Sequence, residues 1–200
     1  MNKRDFLKGM LATSGVSILP AFASMSLDGA AAKTLNHGQI SRVVYDSRFA
    51  SARSFANNLE SQGATAYTPD ATMDMMHLWY GKLRDSLRQG EDQVAGLTTG
   101  TDFHLVEGIA REFGMSVVYS GIHAAEGEHG MQHELRLKRV SPSAFERLSL
   151  SADWPSDLAQ ALQYSSQITQ RPETVRNSTH SISSVGRANE STTLVSWLVV

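Results

Sequence analysis

Histidine and glutamate side chains are concentrated in one short stretch of the chain. Three imidazoles and three carboxylates fall within 12 residues: His123, Glu126, Glu128, His129, His133 and Glu134. Such groups together are ligands for zinc, copper, nickel or iron. On a β-hairpin, His123 and His133 would face each other across the two strands if the register allows. The alternative is an ordinary solvated polar turn, so the sequence assigns no metal ligand and identifies no cofactor.

A second group of candidate residues follows the predicted strands directly. In an open parallel sheet, ligands bind beyond the carboxyl ends of the strands, where helix N-termini offer free backbone N–H groups. This rule selects four loops, and within them a predicted ligand-binding set of Asp46, Arg48, Thr98, Thr99, Thr101 and His123. Hydroxyl groups, a helix dipole and a guanidinium would suit a small polar or anionic ligand. The alternative is that Thr99 or Thr101 caps its helix and Asp46 orders its turn.

Motifs for nucleotide binding and covalent catalysis are missing from the sequence. It has neither a Walker motif nor a Gly-x-Gly-x-x-Gly fingerprint, and it has no Gly-x-Ser-x-Gly elbow. The chain contains no cysteine, which excludes iron–sulfur clusters, thiolate zinc sites and cysteine nucleophiles. Asp46 and His123 could form an acid–base pair if the fold brings them together.

Three repeated units of the order strand–helix–glycine–strand must position these groups. Strands are predicted at 41–46, 64–68, 93–98 and 115–122, and helices lie between them. Ser47 is expected to cap the first helix, while Gly63 and Gly114 end the first and third helices. Short connections of this kind predict an α/β fold of three layers, with a mostly parallel sheet and right-handed crossovers.

The pattern changes after the fourth strand. Residues 133–140 alternate between apolar and charged side chains, which predicts a half-exposed antiparallel strand near an edge of the sheet. Residues 174–193 contain 11 Ser, Thr or Asn in 20 and are predicted to form a polar loop. Residues 194–200 read as a last strand that returns to the sheet. We expect one α/β domain over residues 33–200.

The N-terminus has the composition of a targeting segment. Residues 2–8 read Asn-Lys-Arg-Asp-Phe-Leu-Lys and precede a short, weakly apolar run and Ala21-Phe-Ala23. This stretch resembles the twin-arginine export signal, Ser/Thr-Arg-Arg-x-Phe-Leu-Lys, with Lys3 at the first arginine. The resemblance implies a signal peptide over residues 1–23, or up to 32, and a periplasmic protein that is exported folded, often with a cofactor or partner. The alternative is an amphipathic N-terminal helix.

Charge narrows the range of partners. The net charge is −2, and removal of residues 1–23 takes away three basic residues and one acidic residue, which leaves −4. A mildly acidic domain is a poor ligand for nucleic acids or anionic membranes. No apolar run reaches the ~20 residues needed to span a bilayer.

Three functions therefore stay open. The first is an exported accessory or small-ligand-binding protein, and we favour it because no catalytic motif is complete. The second is a metal-dependent periplasmic enzyme built on the His/Glu hairpin. The third is a partner subunit that is exported together with a larger redox enzyme. Whether the chain is an enzyme is not decided by its sequence.

Overall fold

The computed structural model describes residues 38–70, 72–87, 93–126, 130–138, 140–149, 152–168, 178–184 and 193–200. The predicted signal peptide and His129 lie outside the described residues. The strands are β1 (Ile40–Tyr45), β2 (Thr65–Tyr67), β3 (Gln93–Thr99), β4 (Val117–Glu126), β5 (Gly130–Leu137), β6 (Ser178–Ser184) and β7 (Leu194–Val199). The α-helices are α1 (Ala50–Ser61), α2 (Met75–Leu78), α3 (Arg84–Leu87), α4 (Gly100–Glu112) and α5 (Trp154–Ile168). A π-helical turn (Trp79–Leu83) joins α2 to α3, and a 3₁₀ helix (Pro142–Ser149) precedes α5.

All seven strands form one mixed sheet in the order β2-β1-β3-β7-β4-β5-β6. β1 is parallel to β2 and β3, and the other four pairs are antiparallel. Because β3 and β4 are both antiparallel to β7, they point in the same direction. The α/β fold with βα units is therefore confirmed, and the predicted C-terminal strand lies in the middle of the sheet.

The ends of α1 and α4 show which local signals the sequence carries correctly. Gly63 and Gly114 adopt φ values of +101° and +73° just after these helices, as expected for glycines that end them. The expectation for Ser47 is wrong. α1 starts after Phe49, which makes no side-chain cap, and the backbone N–H of Ser47 donates instead to Thr68 Oγ1 at 3.3 Å.

The predicted polar loop over residues 174–193 is wrong in its centre. Ser178–Ser184 forms β6, which pairs with β5 over its whole length. Its side chains alternate between half-buried and exposed, a two-residue period that a count of polar residues does not detect. β5 is antiparallel, as predicted, but β6 occupies the edge of the sheet. Residues 174–177 and 185–192 lie outside the described residues.

Two hydrophobic clusters cover opposite faces of the sheet. Alternate residues of β7 enter different clusters: Leu194 and Leu198 join α1 and α5, whereas Trp197 joins α2 and α4. Successive side chains of a strand point to opposite faces, so the sheet buries both of its faces at β7. Within the described residues, no helix is both long and apolar enough to cross a membrane.

Candidate functional sites

Asp46 and Arg48 lie beyond the carboxyl end of β1, as predicted, and bind each other. The guanidinium donates from Nε to Oδ1 at 2.9 Å and from Nη2 to Oδ2 at 2.6 Å, and the backbone N–H of Arg48 donates to Oδ1 at 3.1 Å. Burial by itself raises the pKa of the Asp46 carboxyl, but the hydrogen bonds and positive charge of Arg48 bring that pKa below its usual value. The carboxylate is therefore already neutralised by its own chain.

The three threonines at the end of β3 have separate surroundings. Thr98 is fully buried, and its Oγ1 accepts a hydrogen bond from Trp197 Nε1 at 3.1 Å. Thr99 is the N-cap of α4: its Oγ1 accepts from the backbone N–H of Asp102 and donates to Asp102 Oδ2. Thr101 is exposed in the first turn of α4. Of the two interpretations that the sequence allowed for Thr99, the structure shows the helix cap.

His123 does not lie in a loop, and the expectation that β4 ends at residue 122 is wrong. β4 continues to Glu126, so His123 is within the strand, where its side chain is fully buried. β3 and β7 separate β4 from β1. Three strand spacings amount to about 14 Å, and Asp46 and His123 therefore cannot form the acid–base pair that the sequence left open.

The hairpin of β4 and β5 places His123 directly opposite His133, which confirms the predicted cross-strand contact. Both side chains are fully buried, and their Nδ1 atoms are 2.6 Å apart. His123 Nε2 lies 2.6 Å from Ser196 Oγ, and His133 Nε2 lies 2.9 Å from Ser184 Oγ. The Ser196 hydroxyl also contacts Tyr119 OH at 2.8 Å. These five side chains form one continuous hydrogen-bonded chain, which we call the histidine network.

Both imidazoles of the histidine network are held neutral. Burial lowers the pKa of His123 well below its usual value, and the positive charge of a protonated His133 would lower it further. Burial also lowers the pKa of His133, to about 4. Trp154 at the start of α5 covers the pair and stacks on His123, with ring centroids 4.7 Å apart.

The contacts of the network couple the tautomers of its two imidazoles. If His123 Nδ1–H donates to His133 Nδ1, then His123 Nε2 accepts from Ser196 and His133 Nε2–H donates to Ser184. If His133 Nδ1–H donates to His123 Nδ1, then His123 Nε2–H donates to Ser196 and His133 Nε2 accepts from Ser184. Each order gives every ring nitrogen one hydrogen-bond partner, and the tautomer of one histidine fixes that of the other.

Ser196, His123 and His133 have the contacts of a nucleophile, a base and an orienting group. Access is missing, because all three side chains are fully buried. Gly121, beside Ser196, has no free space either: a Cβ placed on it would lie 2.4 Å from Tyr119 OH and 2.9 Å from Ser196 Oγ. In this conformation the network has no position for a substrate.

A metal ion does not fit between the two imidazoles as they stand. Zinc lies about 2.0 to 2.1 Å from each nitrogen ligand in tetrahedral geometry, which separates two such nitrogens by about 3.4 Å. The observed 2.6 Å matches a direct hydrogen bond. Within the described part of the chain, no group of three or more His, Cys, Asp or Glu side chains is arranged to hold a metal.

Two clefts lie away from the residues predicted from the sequence. The first, of about 390 Å³, is the cationic cleft; it is lined by Glu107, Ala110, Arg111, Met115, Ser116, Val117, Val118 and Lys138. Arg111 comes from the last turn of α4 and Lys138 follows β5, and both are exposed. Among the described residues, neither cation has a carboxylate within ion-pair distance. No motif or spacing marks these two residues in the sequence, because only the fold brings them together.

The second cleft lies between β5, β6 and the 3₁₀ helix and measures about 420 Å³. Leu135, Leu137 and Phe145 form a buried floor, and Glu146 and His180 contribute polar groups to its lining. Phe145 also stacks on Tyr119 of the histidine network, with ring centroids 5.0 Å apart. This cleft is mainly apolar, whereas the lining of the cationic cleft has two cations and one carboxylate, Glu107.

Comparison with known proteins adds no family to these observations. No protein-family model matches the sequence, no curated protein is significantly similar to it, and no solved structure significantly matches its fold.

Proposed function

We propose that this chain is an exported accessory protein that binds a small anionic ligand in the cationic cleft. The observation that supports the proposal is the pair of exposed cations, Arg111 and Lys138, on two different elements beside one cleft. An anion placed between them would gain a charge-assisted hydrogen bond from each cation. Glu107 also lines the cleft, so the two cations face one carboxylate there. The exposed Ser116 adds a hydroxyl donor at the same cleft.

The residues beyond β1 and β3 support a ligand site less well. A ligand there would have to compete with Asp46 for Arg48, and Thr99 already caps α4. Thr98 and His123 are fully buried. Only Thr101 and the exposed part of Arg48 remain available, and the negative charges of Asp46 and Asp102 lie beside them.

Binding assays with simple anions test the cationic cleft. We expect acetate, succinate, citrate or inorganic phosphate to raise the thermal midpoint by mass action, as any ligand specific to the native state does. Arg111→Ala and Lys138→Ala should each lower the affinity for the anion that binds by about tenfold, which corresponds to about 1.4 kcal/mol of binding free energy. Lys82→Ala removes an exposed cation that does not line the cleft and serves as the matched control.

Two results would contradict the cleft assignment. The first is an equal loss of affinity in Lys82→Ala, which would mean a non-specific charge effect. The second is binding that survives in Arg111→Ala and Lys138→Ala but disappears in Arg48→Ala, which would move the ligand to the ends of β1 and β3.

Export rests on the resemblance of residues 2–8 to a twin-arginine signal. We infer a periplasmic location and a folded state before transport, alone or together with a redox partner. Cell fractionation tests this inference: Arg4→Lys should retain the protein in the cytoplasm, whereas Lys3→Arg, which completes the arginine pair, should preserve export. Normal export of Arg4→Lys would contradict the twin-arginine route. Co-purification of a large partner from the periplasm would support the accessory role over simple ligand binding.

The alternative function is a metal-dependent enzyme on the hairpin of β4 and β5. One observation favours it: the fold brings two imidazoles of the predicted His/Glu hairpin, His123 and His133, face to face, and imidazole is a common ligand of zinc, copper, nickel and iron. Metal analysis of untagged periplasmic protein tests this function. Less than ~0.1 metal per chain, with no thermal shift on adding zinc, copper or nickel, would remove it.

A further inference from the structure

The two edges of the sheet differ in how they are protected from pairing with another chain. β2 forms one edge; it is only three residues long and Pro69 follows two residues later. Short edge strands and prolines are common devices that prevent a sheet from extending into another molecule. Within the described residues, this edge offers little backbone for a further strand.

The other edge has none of these devices along its length. β6 spans seven residues, Ser-Thr-His-Ser-Ile-Ser-Ser, without a lysine, arginine, aspartate, glutamate or proline. Among the residues that the structure describes, β6 pairs with β5 on one side and with no strand on the other. Every second residue of β6 therefore presents its backbone N–H and C=O groups outward.

We propose that β6 pairs with β6 of a second copy of this chain, in antiparallel orientation around Ser181, to form a symmetric dimer. In a two-fold arrangement centred on Ser181, each residue before Ser181 pairs with the residue that lies equally far after Ser181 in the second copy. In this register Ser178 meets Ser184, Thr179 meets Ser183, and Ser181 meets itself. Hydroxyl side chains thus face hydroxyl side chains, which stabilises cross-strand pairs through hydrogen bonds.

Charge also favours a second copy as the occupant. Like charges opposite each other destabilise paired strands, and β6 carries no formally charged Asp, Glu, Lys or Arg that could repel its own copy. The remaining pair brings His180 against Ile182, which is half-buried in the monomer and packs on the core cluster. Pairing would cover more of the Ile182 side chain. Residues of the same parity meet, so the face that carries the 3₁₀ helix continues into the second copy.

Disulfide trapping tests both the dimer and its register, and the absence of cysteine from the chain leaves no background reaction. In Ser181→Cys the two introduced side chains lie directly opposite, with Cβ atoms about 4.5 to 5.5 Å apart, so mild oxidation should produce a covalent dimer. Thr179→Cys is the matched control. Its two copies would be four residues apart along the strands, or about 14 Å, so mild oxidation should produce no covalent dimer. Cross-linking of Thr179→Cys as fast as Ser181→Cys would overturn the register.

Sedimentation of the full chain over a wide dilution series tests the association itself. The unmodified protein should dimerise, and Ser181→Lys should weaken dimerisation at least tenfold because it places two like charges against each other. Gln132→Lys adds the same charge to the exposed face of β5, away from the edge, and should leave the dimer unchanged. A monomer at all concentrations, or equal weakening by both lysines, would overturn the proposal. Unchanged circular dichroism of both variants shows that folding is retained.

Discussion

The sheet has two parts that differ in what covers them. In the covered part, β2-β1-β3-β7, helices contribute to hydrophobic clusters on both faces, and β7 is buried at each of its six residues. In the open part, β4-β5-β6, the described residues cover only one face. The other carries exposed or half-buried residues: Ser120, Ile122, Ala124, Gln132, Glu134, Arg136, Thr179, Ser181 and Ser183. The boundary runs between β7 and β4.

This difference determines where polar chemistry lies. Strands buried on both faces have almost continuous apolar sequences, and β3 and β7 follow this rule. The open part alternates, and most of the histidine network sits on its covered face. Ser196 alone comes from β7, at the boundary. Polar groups are thus buried where the two parts meet, and the cationic cleft opens at the same boundary, between α4 and the strands β4 and β5.

The largest expected effect is in the covered part. Trp197 is fully buried, packs against Trp79 and donates to Thr98. Trp197→Ala should lower the free energy of unfolding by about 3 to 5 kcal/mol, because it leaves a cavity. Arg136→Ala, on the exposed face of the open part, should change it by no more than about 0.5 kcal/mol. Urea denaturation of both variants measures the difference, and equal effects would remove the distinction between the two parts.

The histidine network should show strong coupling. His133→Leu leaves His123 Nδ1 and the Ser184 hydroxyl without their partner, and an unsatisfied buried group costs about 1 to 3 kcal/mol. Adding His123→Leu removes the other imidazole as well, so the double variant should lose less than the sum of the two single variants. A double-mutant cycle in urea measures this coupling, expected at about 0.5 to 3 kcal/mol. Strict additivity would show that the two imidazoles do not act as a pair.

Acid should destabilise the open part through the same two side chains. Their pKa values in the folded protein lie below the usual 6.5, so the unfolded chain binds more protons as the pH falls below that value. Stability is then lost between the unfolded pKa and the folded pKa, about 4 for His133, at up to about 1.4 kcal/mol per pH unit and histidine. Urea midpoints at pH 8 and pH 5 measure this loss of stability. The loss should be smaller in the double variant that carries His123→Leu and His133→Leu. An unchanged pH dependence in that variant would assign the loss to other groups.

A last pair of variants locates the boundary between the two parts. Ile122 on β4 and Val195 on β7 are direct cross-strand partners, with 36% and 6% of their surfaces exposed. Val195→Thr introduces a hydroxyl into a buried position and should cost about 1 to 3 kcal/mol, whereas Ile122→Thr should cost no more than about 0.5 kcal/mol. Chemical denaturation compares the two. A larger loss for Ile122→Thr would mean that something covers the open face in solution.

Sequence patterns predicted where the strands and helices lie better than they predicted which strands are adjacent in the sheet. The βα units, the glycine ends of α1 and α4 and the contact of His123 with His133 follow from local periodicity and spacing. The position of β7 between β3 and β4 does not, since strand order depends on contacts between distant residues. β6 was missed because its pairing uses backbone groups, while its side chains resemble those of a loop. The pair Arg111 and Lys138 was also missed, because only contacts between distant parts of the chain bring these two residues together.

The central place of β7 has a consequence for how the protein is made. Leu194–Val199 pairs with both β3 and β4, which precede it by many residues along the chain. Until the ribosome has released this segment, those two strands have no common neighbour and each leaves one side open. Pairings between distant segments slow folding, because the intervening chain must be closed into a loop first. We expect the sheet to close only after synthesis of residues 194–199, and a nascent chain that lacks them to bind chaperones.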